Sequence, residues 1–396
     1  MLVGLLVATG AALWWYTDTR VDRTTIDAIE DDGTEEEEEE EENGAPVEFL
    51  VVGSDDRSEL TEEQQAELST GGDMGPIRTD VILVVQVRPD TGEASLLSIP
   101  RDLLVDLHGA DVKINSVLAR SGRDQFVELV EDLVQVELDH YLEVSIPSFL
   151  EVVEAVGGVE LCLDEPLVDE DAGAELAAGC QELDAAESLA FVRSRQGARG
   201  DFRRIERQQR FLRALIEEMT SARTAVDLPR LFRLANRVAG SLTTDQDLSL
   251  GDLRNLAQRL EDLAAGDVEA ATLPAYATDG GLRLYGPGAR AFVAAFERGE
   301  PLPATGSRSE RAAADVIVWS AGSPQLAQQV ASVLFFYGFS PQRRSGLPIQ
   351  ALGVEVFASA DADGPATWVA NVLGVEPSDP PDVVDVDSDA VVAVGG

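Results

Sequence analysis

Residues 47–57 read VEFLVVGSDDR, an apolar run that breaks off at Gly53 into a serine, two aspartates and an arginine. Six residues, Glu48–Gly53, have the length and content of a buried strand. Arg78-Thr79-Asp80 opens a second such run, Val81–Val87. The turn residues Pro89-Asp90-Thr91-Gly92 separate it from a third, Ala94–Ile99, so a hairpin is expected. That run stops at Pro100-Arg101-Asp102. Each strand therefore has acids and arginines at one end, and ligands of α/β proteins collect at strand ends.

Downstream, strands are expected at Asp139–Val144, Val159–Leu163 and Val268–Leu273. Helices are expected near Thr61–Leu68, Asp124–Val134, Pro147–Val156, Asp184–Phe191, Leu228–Val238, Leu250–Leu263 and Gly288–Phe296. Ile205, Gln209, Leu212, Ile216 and Met219 form a stripe at helical spacing, which predicts a helix over Arg203–Met219. After a polar segment at 300–313 a second, smaller α/β unit is expected from Ala314. Its strands fall at Val316–Val318, Val354–Ala358 and Ala390–Val394, and its helices at Leu326–Leu334 and Ala366–Leu373.

Charge is the strongest compositional feature. The 396 residues hold 30 Lys+Arg against 73 Asp+Glu, a formal net charge of −43. Such a chain lacks the basic face that nucleic-acid binding needs. Yet Phe191–Arg213, FVRSRQGARGDFRRIERQQRFLR, gathers Arg193, Arg195, Arg199, Arg203, Arg204, Arg207, Arg210 and Arg213. Guanidinium forks match phosphate oxygens, so this density points to a strongly anionic ligand. The plainer reading is a solvated basic helix paired with nearby acids.

Residues 1–16, MLVGLLVATGAALWWY, carry no charge. As a helix they would span about 24 Å, close to a bilayer core of about 30 Å, and Trp14, Trp15 and Tyr16 fit an interfacial belt. A single-pass membrane anchor is expected there, with a cleaved signal peptide as the alternative. Residues 17–46, with eight successive glutamates at Glu35–Glu42, read as an extended acidic tether. Cys162 and Cys180 lie eighteen residues apart. In an exported chain they can pair as a disulfide; two buried thiols are the other reading.

Several chemistries fail on inventory. Lys113 is the single lysine and lacks a phosphate-binding glycine loop. His108 and His140 are the only histidines, so HExxH-type zinc motifs are absent. What remains is Asp55, Arg57, Arg78, Asp80, Arg101 and Asp102 at strand ends, plus the arginine stretch. Carboxylates and arginines without another nucleophile suit a diphosphate with Mg²⁺, which takes hard oxygens and bridges to phosphates.

The segments VEFLVVGSDDR, RTDVILVV, LLSIPRDLLVDL, KINSVLA, LDHYLEVSIPSFLEVVEAVGGVEL and LAFVRSRQ…GDFRRIERQQ, in this order, resemble the signatures of the LytR-CpsA-Psr family. The resemblance covers about Val47 to Leu273. The tail from Ala314, best in VIVWSAGSPQLAQQVASVLFFYGF, resembles the small C-terminal domain appended to many members. It implies an α/β fold, a mixed central sheet sandwiched by helices with a hydrophobic lipid tunnel, plus the small C-terminal α/β domain. The organisation would be an anchor at 1–16, a tether at 17–46, a catalytic domain at 47–299, a linker at 300–313 and a terminal domain at 314–396.

By the same resemblance the activity would be an extracytoplasmic phosphotransferase. It would move a glycopolymer from a polyprenyl-pyrophosphate carrier to peptidoglycan, at the membrane lipid bilayer and without nucleic acid. Asp55, Asp80 and Arg101 would be catalytic. Arg78, Arg101, Lys113, Arg193, Arg195, Arg204 and Gln208 would bind the pyrophosphate. Asp55 and Asp80 would hold Mg²⁺, with Mn²⁺ as its substitute. Asp55 and Asp56 stand side by side at the metal position, and a long Arg57–Arg78 insert could form a lid or partner-binding loop. Two rival functions are a polyprenyl-pyrophosphate hydrolase and a non-catalytic scaffold for lipid-linked glycan.

Overall fold

The computed structural model describes residues 22–29, 46–58, 60–68, 77–88, 94–197, 200–220, 242–246, 248, 269–345, 351, 353–358, 363–380 and 388–395. The expected anchor at 1–16, most of the tether, the turn at 89–92, Arg199 and the helices expected at 228–238 and 250–263 lie outside them. Along the chain run β1 (Asp22–Arg23), β2 (Val47–Ser54), α1 (Glu62–Glu67), β3 (Thr79–Val87), β4 (Ala94–Ser98), β5 (Leu104–Leu107), β6 (Ala110–Lys113) and α2 (Val117–Val134). There follow β7 (His140–Val144), α3 (Ile146–Val156), β8 (Val159–Leu163), β9 (Leu167–Asp169), β10 (Ala174–Leu176), β11 (Gly179–Leu183), α4 (Ala185–Arg193), α5 (Gly200–Thr220), β12 (Leu242–Thr244) and β13 (Glu269–Thr272).

Contacts divide the chain into two compact units, Met1–Arg101 with Ile114–Ala270 and Asp102–Lys113 with Ala271–Gly396. The first unit is built on a mixed sheet of order β1-β12-β7-β2-β3-β4-β13. β2 runs antiparallel to β3 and parallel to β7, and β3 runs antiparallel to β4. Alternate side chains of a strand point to opposite faces. Phe49, Leu83, Val85, Val87 and Leu96 cluster on one face. Leu50, Val52, Ile82, Val84 and Leu97, at the alternating positions, are buried too. A sheet covered on both sides reads as continuous apolar runs, which is why these strands were visible in the sequence. Each buried Val, Leu, Ile or Phe contributes about 1.5–3 kcal/mol relative to exposure.

The helices are set by their caps. Ser145 accepts the Ser148 N–H at 3.3 Å, Pro147 sits in the first turn of α3, and Gly157 ends it at φ 92°. Asp184 and Glu187 form a reciprocal capping box at the start of α4, with bonds of 2.8 and 3.0 Å. α2 starts earlier than expected because it continues across a break at Gly122, whose φ of 85° and ψ of −178° are not helical.

In the second unit come β14 (Ala275–Ala277), β15 (Leu282–Leu284), α6 (Gly286–Glu297), α7 (Arg308–Ala313), β16 (Val316–Ser320), α8 (Pro324–Tyr337), β17 (Gln342–Ser345), β18 (Gly353–Ala358), α9 (Asp363–Leu373), β19 (Pro377–Ser378) and β20 (Ala390–Gly395). Its main sheet has the order β17-β16-β20-β18-β19. Val330, Val333 and Leu334 of α8 are fully buried, and Gly338 at φ 108° stops the helix. Composition placed a boundary at 300–313, whereas packing draws it before Ala271. The reason is contact across that segment. Tyr337 donates its hydroxyl to the Thr272 carbonyl, and a Cβ on Gly288 would sit 2.2 Å from the Val372 carbonyl oxygen.

Candidate functional site

The site begins where β2 ends. A Cβ on Gly53 would lie 2.9 Å from the Val81 Cβ, so the close approach of β2 to β3 requires glycine. The pairing register shifts between Gly53 and Ser54, and a bulge re-aims the side chains that follow it. The Asp55 carboxylate then accepts the Arg78 N–H at 2.6 Å, while the Asp55 N–H donates to the Arg78 carbonyl at 2.9 Å. The Asp56 carboxylate accepts the Ser58 N–H at 2.9 Å.

Asp80, the second residue of β3, forms an ion pair with the guanidinium of Arg101, which follows β4. Asp55 lies within electrostatic reach of Asp80, Arg78 and Arg57. Burial foremost, and then the charge of Asp80, push the Asp55 carboxyl above the usual carboxylate value, against the Arg78 N–H and the two arginine charges.

The opposite wall comes from the end of α4. Arg193 is its last residue, and Ser194 leaves the helix with extended backbone. Burial foremost lowers the Arg193 guanidinium from its usual value; Asp80 and Asp55 counter this, while Arg57 and Arg195 reinforce it. Asp55, Arg57, Asp80, Arg193 and Arg195 thus share one electrostatic neighbourhood. Arg101 joins it through Asp80, and Arg78 through Asp55. Five of these come from residues 47–101 and two from residues almost a hundred positions later.

Arg193 also donates to the Leu68 carbonyl at 3.1 Å. In the segment after Arg57, α1 carries a capping box between Thr61 and Gln64. Leu60 packs with Ile146 and Leu189, and Leu68 joins the same cluster. The described part of the long insert is thus docked on α3 and α4.

Arg204 is only 2% exposed, on the same inward side of α5 as the buried Ile205. Gln208 donates to the Val192 carbonyl at 3.3 Å, holding α5 to α4. Lys113 closes the β5–β6 hairpin in the second unit and pairs with Asp102 at 2.6 Å. Cys162 and Cys180 face each other across β8 and β11 and form a disulfide. Arg210 donates to the Cys162 carbonyl. His140 packs on Phe49 with ring centroids 5.1 Å apart and lies 3.5 Å from Asp245, a structural role.

Two carboxylates escaped the sequence reading. Asp245 accepts the Tyr141 and Leu248 N–H groups at 2.9 and 2.7 Å. Asp169 accepts the Ser194 hydroxyl at 2.7 Å and the Arg195 N–H at 3.0 Å. Neither adjoins an apolar run of the length that marks a strand end, so no local signal singled them out.

A hard cation fits the Asp55–Asp80 pair on donor chemistry. Each carboxylate commits one oxygen, to the Arg78 N–H and to Arg101. Asp80 opposes the ionisation of Asp55, a conflict that positive charge relieves. Among the described residues no group of three or more acids, histidines or cysteines could cage an ion. Two carboxylates, completed by water and phosphate oxygens, is the donor set magnesium takes.

The strand ends of this mixed α/β sheet gather guanidinium groups around a carboxylate pair. In fold the chain is similar to a LytR-Csp2A-Psr enzyme from Actinomyces oris, with a TM-score of 0.51 and 21% identity over 67% of this chain and 92% of that one. The chain belongs to the LytR_cpsA_psr family, which it matches over residues 15–295. It is 35% identical over 275 residues to the probable cell wall biosynthesis protein LcpB of Corynebacterium glutamicum, covering 69% of this chain and 63% of that protein. To TagV of Bacillus subtilis, a polyisoprenyl-teichoic acid–peptidoglycan teichoic acid transferase, it is 33% identical over 197 residues, 47% of this chain and 49% of that protein. It thus spans less than two thirds of either relative. The family match also runs past the packing boundary at Ala271.

Proposed function

We propose that this chain is an extracytoplasmic phosphotransferase that moves a glycopolymer from a polyprenyl-pyrophosphate carrier onto peptidoglycan. The observation that carries this reading is the convergence of Arg57, Arg193 and Arg195 with Asp55 and Asp80 in one electrostatic neighbourhood. Family membership and the transferase named TagV support it.

In this reading Arg193, Arg195 and Arg101 bind the diphosphate, with Arg57 and Arg78 at the rim. An acceptor sugar hydroxyl attacks the sugar-proximal phosphorus. Its proton passes to a carboxylate of the Asp55–Asp80 pair, and the bond to the bridging oxygen breaks. Polyprenyl phosphate leaves with its new charge held by the arginines. Guanidinium groups fixed before the reaction stabilise developing charge without reorganising. Mg²⁺, or Mn²⁺ in its stead, would be held by Asp55 and Asp80 and would neutralise phosphate charge. Arg101 then has a double task, orienting Asp80 and meeting the phosphate. Arg204 and Gln208 serve by fixing α5 beneath the arginine wall.

The lipid is assigned to an apolar tunnel between sheet and helices of the first unit, and residues 1–16 to a membrane anchor. No helix among the described residues is long and apolar enough to cross a membrane, and 1–16 lie outside them. The part of the second unit from Ala314 onward is assigned as the appended terminal domain.

The test is polymer transfer to isolated peptidoglycan by the wild type, Arg101→Ala and Arg195→Ala. Loss of transfer in folded variants is expected. Undiminished transfer would remove the arginine wall from the mechanism, and release of polymer phosphate equally fast without peptidoglycan would make the protein a hydrolase.

A further inference from the structure

The wall that presents Arg195 is itself held by two side chains not yet given a role, Asp169 and Arg207. Ser194 and Arg195 leave α4 as a short non-helical link before α5 starts at Gly200. A link of this kind gives an arginine no fixed direction by itself. Here two groups fasten it. One oxygen of Asp169, on β9, accepts both the Ser194 hydroxyl at 2.7 Å and the Arg195 N–H at 3.0 Å. Its other oxygen accepts the Ala172 N–H at 3.3 Å, which ties the carboxylate to its own β9–β10 turn. From the other side Arg207 donates to the Ser194 carbonyl at 2.8 Å and to the Gln196 carbonyl at 3.1 Å. Both sets are charge-assisted bonds, to backbone in every case but the Ser194 hydroxyl, and about twice as strong as neutral ones.

We propose that Asp169 and Arg207 are positioning residues that clamp residues 194–196 from both sides and so aim Arg195 at the diphosphate. This rests on the diphosphate reading above. It assigns a role to Arg207, which the motif pattern left open, and to Asp169, which lies outside the arginine stretch. Arg207 faces Arg203, Asp169 and Glu206 as its charged neighbours, and burial is the main influence on it. The hydrogen bonds Asp169 receives outweigh its partial burial and hold its carboxyl below the usual value, as expected of an acceptor for the ionised clamp.

The test uses the full chain and inorganic pyrophosphate as probe, with affinity measured by calorimetry for wild type, Asp169→Ala, Arg195→Ala and the double variant. Asp169→Ala should weaken pyrophosphate about tenfold, and the double variant should bind no worse than Arg195→Ala alone, because a residue acting through Arg195 adds nothing once Arg195 is gone. Ser194→Ala removes the hydroxyl that donates to Asp169 and accepts the Gln196 N–H at 3.3 Å but leaves the Arg195 N–H bond to Asp169, so it should give a smaller loss with an unchanged melting temperature, which keeps the test open if Asp169→Ala folds poorly. Hydrogen exchange at the 194–196 amides should speed up in Asp169→Ala without ligand. Additive losses in the double variant, or unchanged affinity in both Asp169→Ala and Ser194→Ala, would overturn the clamp while leaving the diphosphate site intact. Unchanged affinity in Arg195→Ala would overturn the diphosphate reading and the clamp's purpose with it, even if exchange at 194–196 responds.

Discussion

Asp80 and Arg101 show how much chemistry a single pair concentrates. Arginine meets a carboxylate with a planar fork, and lysine cannot replace that geometry. Arg101→Lys should therefore lower transfer at least tenfold despite keeping the charge, and the Lys and Ala variants should both keep a near-wild-type melting curve. Glu48 offers a prediction about stability. Burial foremost, with the neighbouring Asp139, pushes its carboxyl up to about 7, against a hydrogen bond from Gln86. Its folded value lies above the unfolded one of 4.5, so the folded state binds the extra proton between those values. Stability from this group is full below about pH 4.5 and is lost as pH rises through about 7. Glu48→Gln should remove that loss, which is read as a smaller fall in melting temperature between pH 4.5 and pH 7.5. At this scale Asp55, Asp80 and Arg101 were legible because each adjoins an apolar run. Asp169 and Asp245 were not, because their partners stand 26 and 104 residues away.

Among the elements, the buried strands and capped helices were legible and the short exposed strands were not. β2, β3 and β4 announce themselves by unbroken apolar content, and α4 by Asp184 with Glu187 three residues on. β5, β6, β9 and β10 have three or four residues each and partly exposed faces, too short for alternation to register. The α2 helix was seen only beyond Gly122, where its regular geometry resumes. The cap on α4 has functional weight, since that helix ends in Arg193. Asp184→Ala removes the acceptor for the Glu187 N–H and should cost about 1 kcal/mol, measured by denaturant unfolding. Restoring the cap with Asp184→Ser should recover most of it.

For the molecule as a whole, a formal charge of −43 means self-repulsion that salt screens. The melting temperature should rise steadily from about 0.05 M to about 1 M NaCl. A flat profile would show that the acids are already neutralised by local pairing. The Cys162–Cys180 bridge closes a segment of 18 residues, and its loss should cost about 3 kcal/mol in the chain-entropy model. Both cysteines are exposed, so a mild reductant should reveal this directly in unfolding curves. The domain boundary was the least legible feature at this scale. Composition marks a flexible-looking segment at 300–313, but it says nothing of Tyr337 reaching back to Thr272.

The shifted register at Gly53 and Ser54 has a bearing on which changes the gene can absorb. Successive side chains of a strand alternate between faces, so gain or loss of one codon between Val47 and Asp55 exchanges the two faces. It would force Val52 into the packing made for its neighbours on the other covered face and re-aim the carboxylate. Replacements within β2 that keep its volume leave the aspartate where it is. Tolerance in this stretch should thus divide sharply by type of mutation: many substitutions survive and no single-residue insertion or deletion does, a contrast that a deep mutational scan of residues 47–55 would display as two separate distributions.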